Sequence, residues 1–188
     1  MTLIEPCAID GVRIARPEVH ADERGRFVQS YRADWFPDVG QMVQGNHTER
    51  RAGCLVGLHF HLHQTDYWYV TRGHARAVLH DIREGSPTQG ATVVVDLGEV
   101  GGGEHNHLGL LIPPGVAHGF AALSDTTLTY LVDATYDPAD ELGIAWDDAG
   151  VEADWGVASP ILSVRDRTNP ALAALAPDRR PRFAGGRP

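Results

Sequence analysis

The stretch GLHFHLHQTDYWYVTRG, residues 57–73, places His59, His61 and His63 at alternating positions and follows them with Asp66. Imidazole and carboxylate together suit two kinds of chemistry: acid–base catalysis near neutral pH and coordination of a divalent metal. Side chains alternate across a β-strand, so the histidines share one face while Leu58, Phe60 and Leu62 share the other. The apolar face is expected to pack outward against a second layer, leaving the imidazoles toward a barrel interior. Asp66 has the opposite parity on a straight strand. A turn at HQT resets the register and lets Asp66 face the histidines from the neighbouring strand. Buried imidazoles are costly unless they are hydrogen-bonded or bound to something.

Positioning these groups requires a mostly β scaffold. Residues 73–82, 91–97, 108–114, 118–124 and 127–136 are short, β-rich runs separated by turn-forming stretches such as REGSPTQG and GEVGGGEHN. That spacing predicts an all-β sandwich or jelly-roll barrel with short peripheral helices. Helical turns are expected at 32–36 and 169–175, the latter with Asn169 as its cap and Pro170 at its first position. The chain of 188 residues predicts a single domain over 1–168, with 169–188 as a short helix and a loose Pro-, Gly- and Arg-rich tail.

Composition narrows the function classes. A net charge of −9 argues against nucleic acid as a partner, because binding phosphates needs a basic surface. No apolar run reaches the ~20 residues that span a bilayer, and the N-terminus lacks a basic start and apolar block. Cys7 and Cys54 are too few and too far apart for a thiolate metal site, and a cytoplasmic protein with reduced thiols is expected.

Two His two apart, an acid five positions on and a glycine after a further gap resemble the first metal motif of the cupin superfamily: His59, His61, Asp66 and Gly73. The second cupin motif, P-x-G-x-x-H, is matched by Pro113, Gly115 and His118 in PPGVAH. The resemblance implies a metal site of His59, His61, Asp66 and His118. Nitrogen and oxygen donors of this kind suit Fe, Mn, Ni, Co or Zn, and ligand type alone does not choose among them. His63 is a spare for His61, and His105 and His107 read as loop histidines.

The chain also resembles one cupin branch, the dTDP-4-dehydrorhamnose 3,5-epimerase family, over about residues 10–170. The resemblance rests on DERGRF (22–27), NHT (46–48), GLHF (57–60), HDIREGSPTQG (80–90), IPPGVAHGFAALSD (112–125), YDPADELGIAWDD (136–148) and PILSVRDR (160–167). It implies a jelly roll, a small-molecule substrate that is a nucleotide sugar, and a homodimer with an N-terminal strand exchanged between partners. It also implies proton removal beside a ketone and reprotonation from the opposite face. Carried over by position, His59 is the base, Asp166 its orienting carboxylate and Tyr130 the acid. Arg24, Asn46, Tyr136 and His118 are then substrate-binding.

The sequence departs from the family at the site. Val56 stands where the family has a diphosphate-binding arginine, and Asp66 where it has a lysine near the substrate carbonyl. Ala77 replaces that lysine's partner carboxylate. These exchanges favour, as the leading expectation, a metal-dependent isomerase or epimerase in which a divalent ion takes over the lysine's Lewis-acid work. A metal-free 3- or 3,5-epimerase with His59 as base and Tyr130 as acid is the second reading. An Fe(II) oxygenase and a non-catalytic binding module follow. His59 cannot be a metal ligand and a free base at once.

Overall fold

The computed structural model describes residues 1–185. Two antiparallel sheets face each other as a jelly roll. The first sheet runs in the order β1 (Leu3–Pro6), β2 (Arg13–Arg16), β10 (Gly109–Ile112), β7 (Asp66–Arg72), β12 (Thr126–Val132) and β5 (Gln44–Arg50). The second runs β13 (Leu142–Gly143), β6 (Leu55–Phe60), β11 (Val116–Ala122), β8 (His74–Asp81) and β9 (Thr92–Gly98). A separate hairpin of β3 (Val19–Asp22) and β4 (Gly25–Val28) is almost wholly exposed.

The period-2 patterns explain these layers. Trp68, Val70, Leu79, Leu97, Leu110, Phe120 and Leu128 meet between the sheets. Leu58 and Phe60 point the other way and are fully buried beneath the C-terminal segment, beside Ile144, Trp155 and Leu175. Each such side chain contributes about 1.5–3 kcal/mol of burial. Tyr67 and Tyr69 face outward from the first sheet and are covered by the segment around Tyr31 and Phe36. No residue of β11 is exposed, as expected for a strand with neighbours on both sides and cover on both faces.

Gly119 lets β6 and β11 approach closely. A Cβ there would meet the Val56 carbonyl oxygen at 2.4 Å and the Gly57 Cα at 2.9 Å. Gly119→Ala is therefore expected to cost about 1–3 kcal/mol through overpacking. A thermal midpoint equal to wild type would contradict this.

The helices differ from expectation. The 32–36 turn is a 3-10 helix at Ala33–Trp35. The one α-helix among the described residues is α1 (Val164–Thr168), N-capped by Ser163, whose hydroxyl accepts from the Asp166 N–H. Asn169 ends α1, because a residue before proline is disfavoured in helical geometry, and no helix opens directly after it. Only a 3-10 turn at Leu172–Ala174 remains of the expected helix at 169–175. The expected loose tail is docked as far as it is described. Glu84 N–H donates to the Pro181 carbonyl, Phe183 N–H donates to the Glu84 carbonyl, and the Arg83 guanidinium lies 5.1 Å from the Phe183 ring centre. Residues 186–188 of that tail lie outside the described residues.

Candidate active site

Strand β6 ends at Phe60, and residues 61–65 turn the chain so that β7 begins at Asp66. The turn brings Asp66 back beside the histidines, as the spacing predicts. His59, on β6, is the cross-strand partner of His118 on β11, with ring centres 4.3 Å apart. His61 is buried just past the strand end, whereas His63 is exposed and stands clear of the cluster. His105 and His107 pair with Tyr69 on the outward face of the first sheet.

A cleft of about 790 Å³ opens over this region, lined by His59, Tyr130, Asn46, Tyr136, Glu141 and Arg165 among others. A deeper chamber of about 200 Å³ shares His59, Tyr130, Glu141 and Arg165 with it and adds Trp68, Arg50 and Val56. His59 enters from the second sheet. Tyr130 enters from the first, in register with Trp68 on one side and Asn46 on the other. The cleft thus has an imidazole on one wall and a phenol on the opposite wall.

The electrostatics suit these two groups to opposite tasks. Burial, then the neighbouring His118 and His61, then Arg165, hold His59 well below the usual imidazole pKa and keep it neutral. Burial, then Asp66 and Glu141, raise the Tyr130 hydroxyl and keep its proton on. A neutral imidazole accepts a proton and a protonated phenol gives one.

The expected His59–Asp166 hydrogen bond is not made. Asp166 Oδ2 accepts from the Ser163 hydroxyl at 2.6 Å. Its Oδ1 faces the Gly57 N–H at 3.4 Å and the Arg165 guanidinium at 3.2 Å. The carboxylate folds back onto the cap of its own helix, and His59 Nδ1 is left without a hydrogen-bond partner among the described residues. Asp166 consequently holds the β6 backbone two residues before His59 and steers Arg165.

The remaining expected residues separate in space. Asn46 and Tyr136 line the cleft. His118 lies behind His59, buried, and lines neither chamber. Arg24 sits on the exposed β3–β4 hairpin, bound to Asp22, away from the cleft of its own chain. Arg51 lines a different surface depression with Arg72. Several cleft residues escaped the sequence reading, among them Gln44, Asp140, Glu141 and Arg165. Asp140 receives the Leu62 and His63 N–H groups on its carboxylate and the His61 ring on its carbonyl. Arg165 pairs with Glu141 and Asp166. The only sequence signal for Asp140, Glu141 and Arg165 was membership of the YDPADELG and PILSVRDR runs, and Gln44 had none.

The donors expected for a metal do converge. His59, His61, Asp66 and His118 each offer an atom within 4.8 Å of the others. His61 Nε2 is 3.9 Å and His118 Nε2 3.8 Å from the Asp66 carboxylate. Gln64 Nε2 and Trp68 Nε1 donate to that carboxylate at 2.8 and 3.0 Å. Burial opposes the charge on Asp66, but His118, then His61 and the Gln64 amide, hold its carboxyl below the usual range. With the buried His59 Nδ1 and His118 Nε2 lacking hydrogen-bond partners among the described residues, the set fits a divalent transition ion. An ion held there would supply Lewis acidity toward a carbonyl oxygen.

The fold is a cupin jelly roll whose polar cleft has an imidazole and a phenol on opposite walls. The family model described as dTDP-4-dehydrorhamnose 3,5-epimerase matches residues 6–174. The spore coat polysaccharide biosynthesis protein SpsL of Bacillus subtilis is 38% identical over 151 residues, covering 78% of this chain and 96% of its own. A dTDP-4-dehydrorhamnose 3,5-epimerase of Sinorhizobium fredii is 34% identical over 177 residues, covering 89% and 88%. Among solved structures, NovW of Streptomyces spheroides, a 4-keto-6-deoxy sugar epimerase, aligns with a TM-score of 0.90 at 33% identity, covering 98% of this chain and 94% of its own. The Legionella pneumophila dTDP-6-deoxy-D-glucose-3,5-epimerase in complex with dTDP-4-keto-L-rhamnose gives 0.89 at 31%, covering 97% and 99%. The chain belongs to the dTDP-4-dehydrorhamnose 3,5-epimerase family, and it is an epimerase of the cupin jelly-roll fold.

Proposed function

We propose that the protein epimerises a dTDP-4-keto-6-deoxy sugar at C3, or at C3 and C5, with no metal taking part in the proton transfers. The observation that carries this reading is the pairing of a neutral His59 with a protonated Tyr130 on opposite walls of one cleft. Relatives named as 4-keto sugar epimerases favour it over the metal-dependent isomerase expected from the spacing, and over the Fe(II) oxygenase.

C3 and C5 both flank the C4 ketone, so their C–H bonds are acidified. His59 takes the proton, the bonding pair moves into the ring, and charge gathers on the carbonyl oxygen. Tyr130 O–H then protonates the same carbon from the opposite face, which inverts it. The imidazolium and the phenolate reset through solvent, so protons balance over a turnover. The enolate needs a positive group, and the family's lysine position carries Asp66. Among the described residues, Arg165 is the single Lys or Arg lining the larger cleft, and Arg50 joins it in the inner chamber. These two cations serve the enolate and the diphosphate, where oxyanion donors are worth about 3–4 kcal/mol. Asn46 and Tyr136 hold the remainder of the substrate near the cleft mouth.

The resemblance further implies a homodimer in which the N-terminal segment reaches the other subunit. The exposed β3–β4 hairpin bearing Arg24 is free to make that reach, since it pairs with neither sheet of its own chain.

The reading is tested by following dTDP-4-keto-L-rhamnose in deuterated buffer by NMR. Deuterium entering C3 and C5 supports 3,5-epimerisation, and C3 alone supports 3-epimerisation. If neither carbon exchanges, the reading is wrong.

A further inference from the structure

We propose that His59, His61, Asp66 and His118 form an inhibitory site for a divalent transition ion: the ion and the substrate proton compete for His59, so the loaded enzyme is silent. The epimerase reading makes His59 the base, and the inhibitory part rests on that reading. The binding part rests on the cluster alone.

Three features of the cluster point to an ion. Its ligand atoms lie within 4.8 Å of one another, and His61, Asp66 and His118 are each at least nine-tenths buried. Imidazole nitrogens and carboxylate oxygens sit about 2.0–2.2 Å from zinc-class ions, which sets donors about 4 Å or less apart. A small contraction of the set suffices. Next, two of the rings are already oriented. His61 Nδ1 meets the Asp140 carbonyl at 2.9 Å and His118 Nδ1 meets the Val116 carbonyl at 2.8 Å, which turns each Nε2 toward Asp66. Metal-ligating histidines are commonly held this way by a carbonyl on the far nitrogen.

The last feature is an unmet need. His118 Nε2 is buried and has no hydrogen-bond partner among the described residues, although its ring is aimed at a carboxylate just beyond hydrogen-bond reach. Asp66 is almost fully buried and forms no ion pair with an Arg among the described residues, and its two donors, Gln64 and Trp68, are both neutral. A divalent cation among one carboxylate and three neutral imidazoles satisfies the orphaned nitrogen and the buried charge together. Two departures from the family enlarge the donor set. His61 supplies an extra imidazole, and Asp66 supplies an anion where the family carries a lysine that would repel an ion.

The consequence for catalysis follows from the shared ligand. His59 lines the cleft and also belongs to the cluster. A neutral imidazole has one lone-pair nitrogen; once that pair is given to an ion the other nitrogen carries the ring proton, and the ring can accept no further one. The protein would therefore switch off as free transition metal rises and recover when it falls.

The experiment uses tag-free, full-length protein stripped with a chelator and then titrated with Co²⁺. Visible absorption reports the coordination, elemental analysis the stoichiometry, and deuterium exchange into dTDP-4-keto-L-rhamnose the activity. The expected result is one cobalt per chain with new visible bands, a raised thermal midpoint, and at least a tenfold fall in exchange that chelator reverses. His61→Gln and Asp66→Asn, each checked for a cooperative thermal transition, should weaken cobalt binding by about 100-fold, at or beyond what losing an outer-shell partner costs. In both, the ratio of exchange with and without cobalt should approach one. No stoichiometric cobalt, or binding unchanged in both folded variants, would overturn the site. Exchange that rises with cobalt, or does not change, would overturn the inhibitory role. Cobalt bound with no exchange in either form would remove the epimerase reading and the inhibitory role together, and leave the ion site standing.

Discussion

His59→Asn should slow deuterium exchange at C3 of the keto sugar by about 10²–10⁴-fold, the range that a positioned general base contributes. Asn keeps the polarity and much of the volume of the imidazole but cannot accept a proton at neutral pH. Tyr130→Phe should behave differently. It removes the acid and leaves the base, so a proton can still leave and return on the His59 face. Exchange should persist in that variant while inversion falls by a similar factor. Comparing the two in one NMR time course separates base from acid, because a merely structural role would depress exchange and inversion in parallel. Equal exchange rates for wild type and a folded His59→Asn protein would show that another group is the base.

The second large effect concerns stability. Asp81 ends β8 and organises the hairpin to β9. Its carboxylate accepts from Arg83 Nε at 2.8 Å, Arg83 Nη2 at 2.8 Å, the Ser86 hydroxyl at 2.6 Å and the Thr88 hydroxyl at 2.7 Å. Arg83 also donates to the Asp10 carbonyl, and Thr88 accepts the Asp10 N–H, which ties the N-terminal loop to the same knot. Asp81→Ala would strand the buried Arg83 guanidinium, the Arg83 N–H and the Ser86 and Thr88 hydroxyls. Breaking one partner of such a pair costs about 3–5 kcal/mol, a large share of a typical domain's margin. A urea unfolding curve measures this directly, and a loss under 1 kcal/mol would contradict the account. Burial opposes the charge, but Arg83, Ser86 and Thr88 outweigh it and lower the Asp81 carboxyl to about 2. The folded value lies below the unfolded one, so the contribution is complete above about pH 4. It is lost as pH falls toward 2, and the Asp81→Ala protein should lack that acid limb.

Much of this architecture was legible because strand periodicity is local. Alternation placed Leu58 and Phe60 on one face and His59 on the other, and the turn after His61 was enough to bring Asp66 round. The two histidine motifs converge because β6 and β11 are neighbours, which their spacing implied only through the cupin resemblance. The misreadings have physical causes. NPALAAL has helical composition, but seven residues are too few to sustain a helix without tertiary support. SVRD carried the Ser-to-acid spacing of a capping box, and that signal would have located α1 and shown Asp166 turned toward Ser163, away from His59. Asp140, Glu141 and Arg165 reach the site from loops far along the chain; Asp140 meets His61 across 79 residues. No local pattern marks such a contact. The exchange of lysine for Asp66 was visible at once, and the side chains it singled out do converge. Metal-dependent catalysis does not follow from that convergence, because the same His59 also faces Tyr130 across the cleft.

In the proposed mechanism His59 acts as a free base in a metal-free epimerase. The most direct test is the rate of deuterium entry at C3 of dTDP-4-keto-L-rhamnose, measured by NMR with protein stripped by chelator and kept in chelator. Full exchange is expected under those conditions, together with inversion at the carbon that exchanges. Exchange that vanishes with the metal and returns when the metal is restored would contradict it and make His59 a ligand of a catalytic ion.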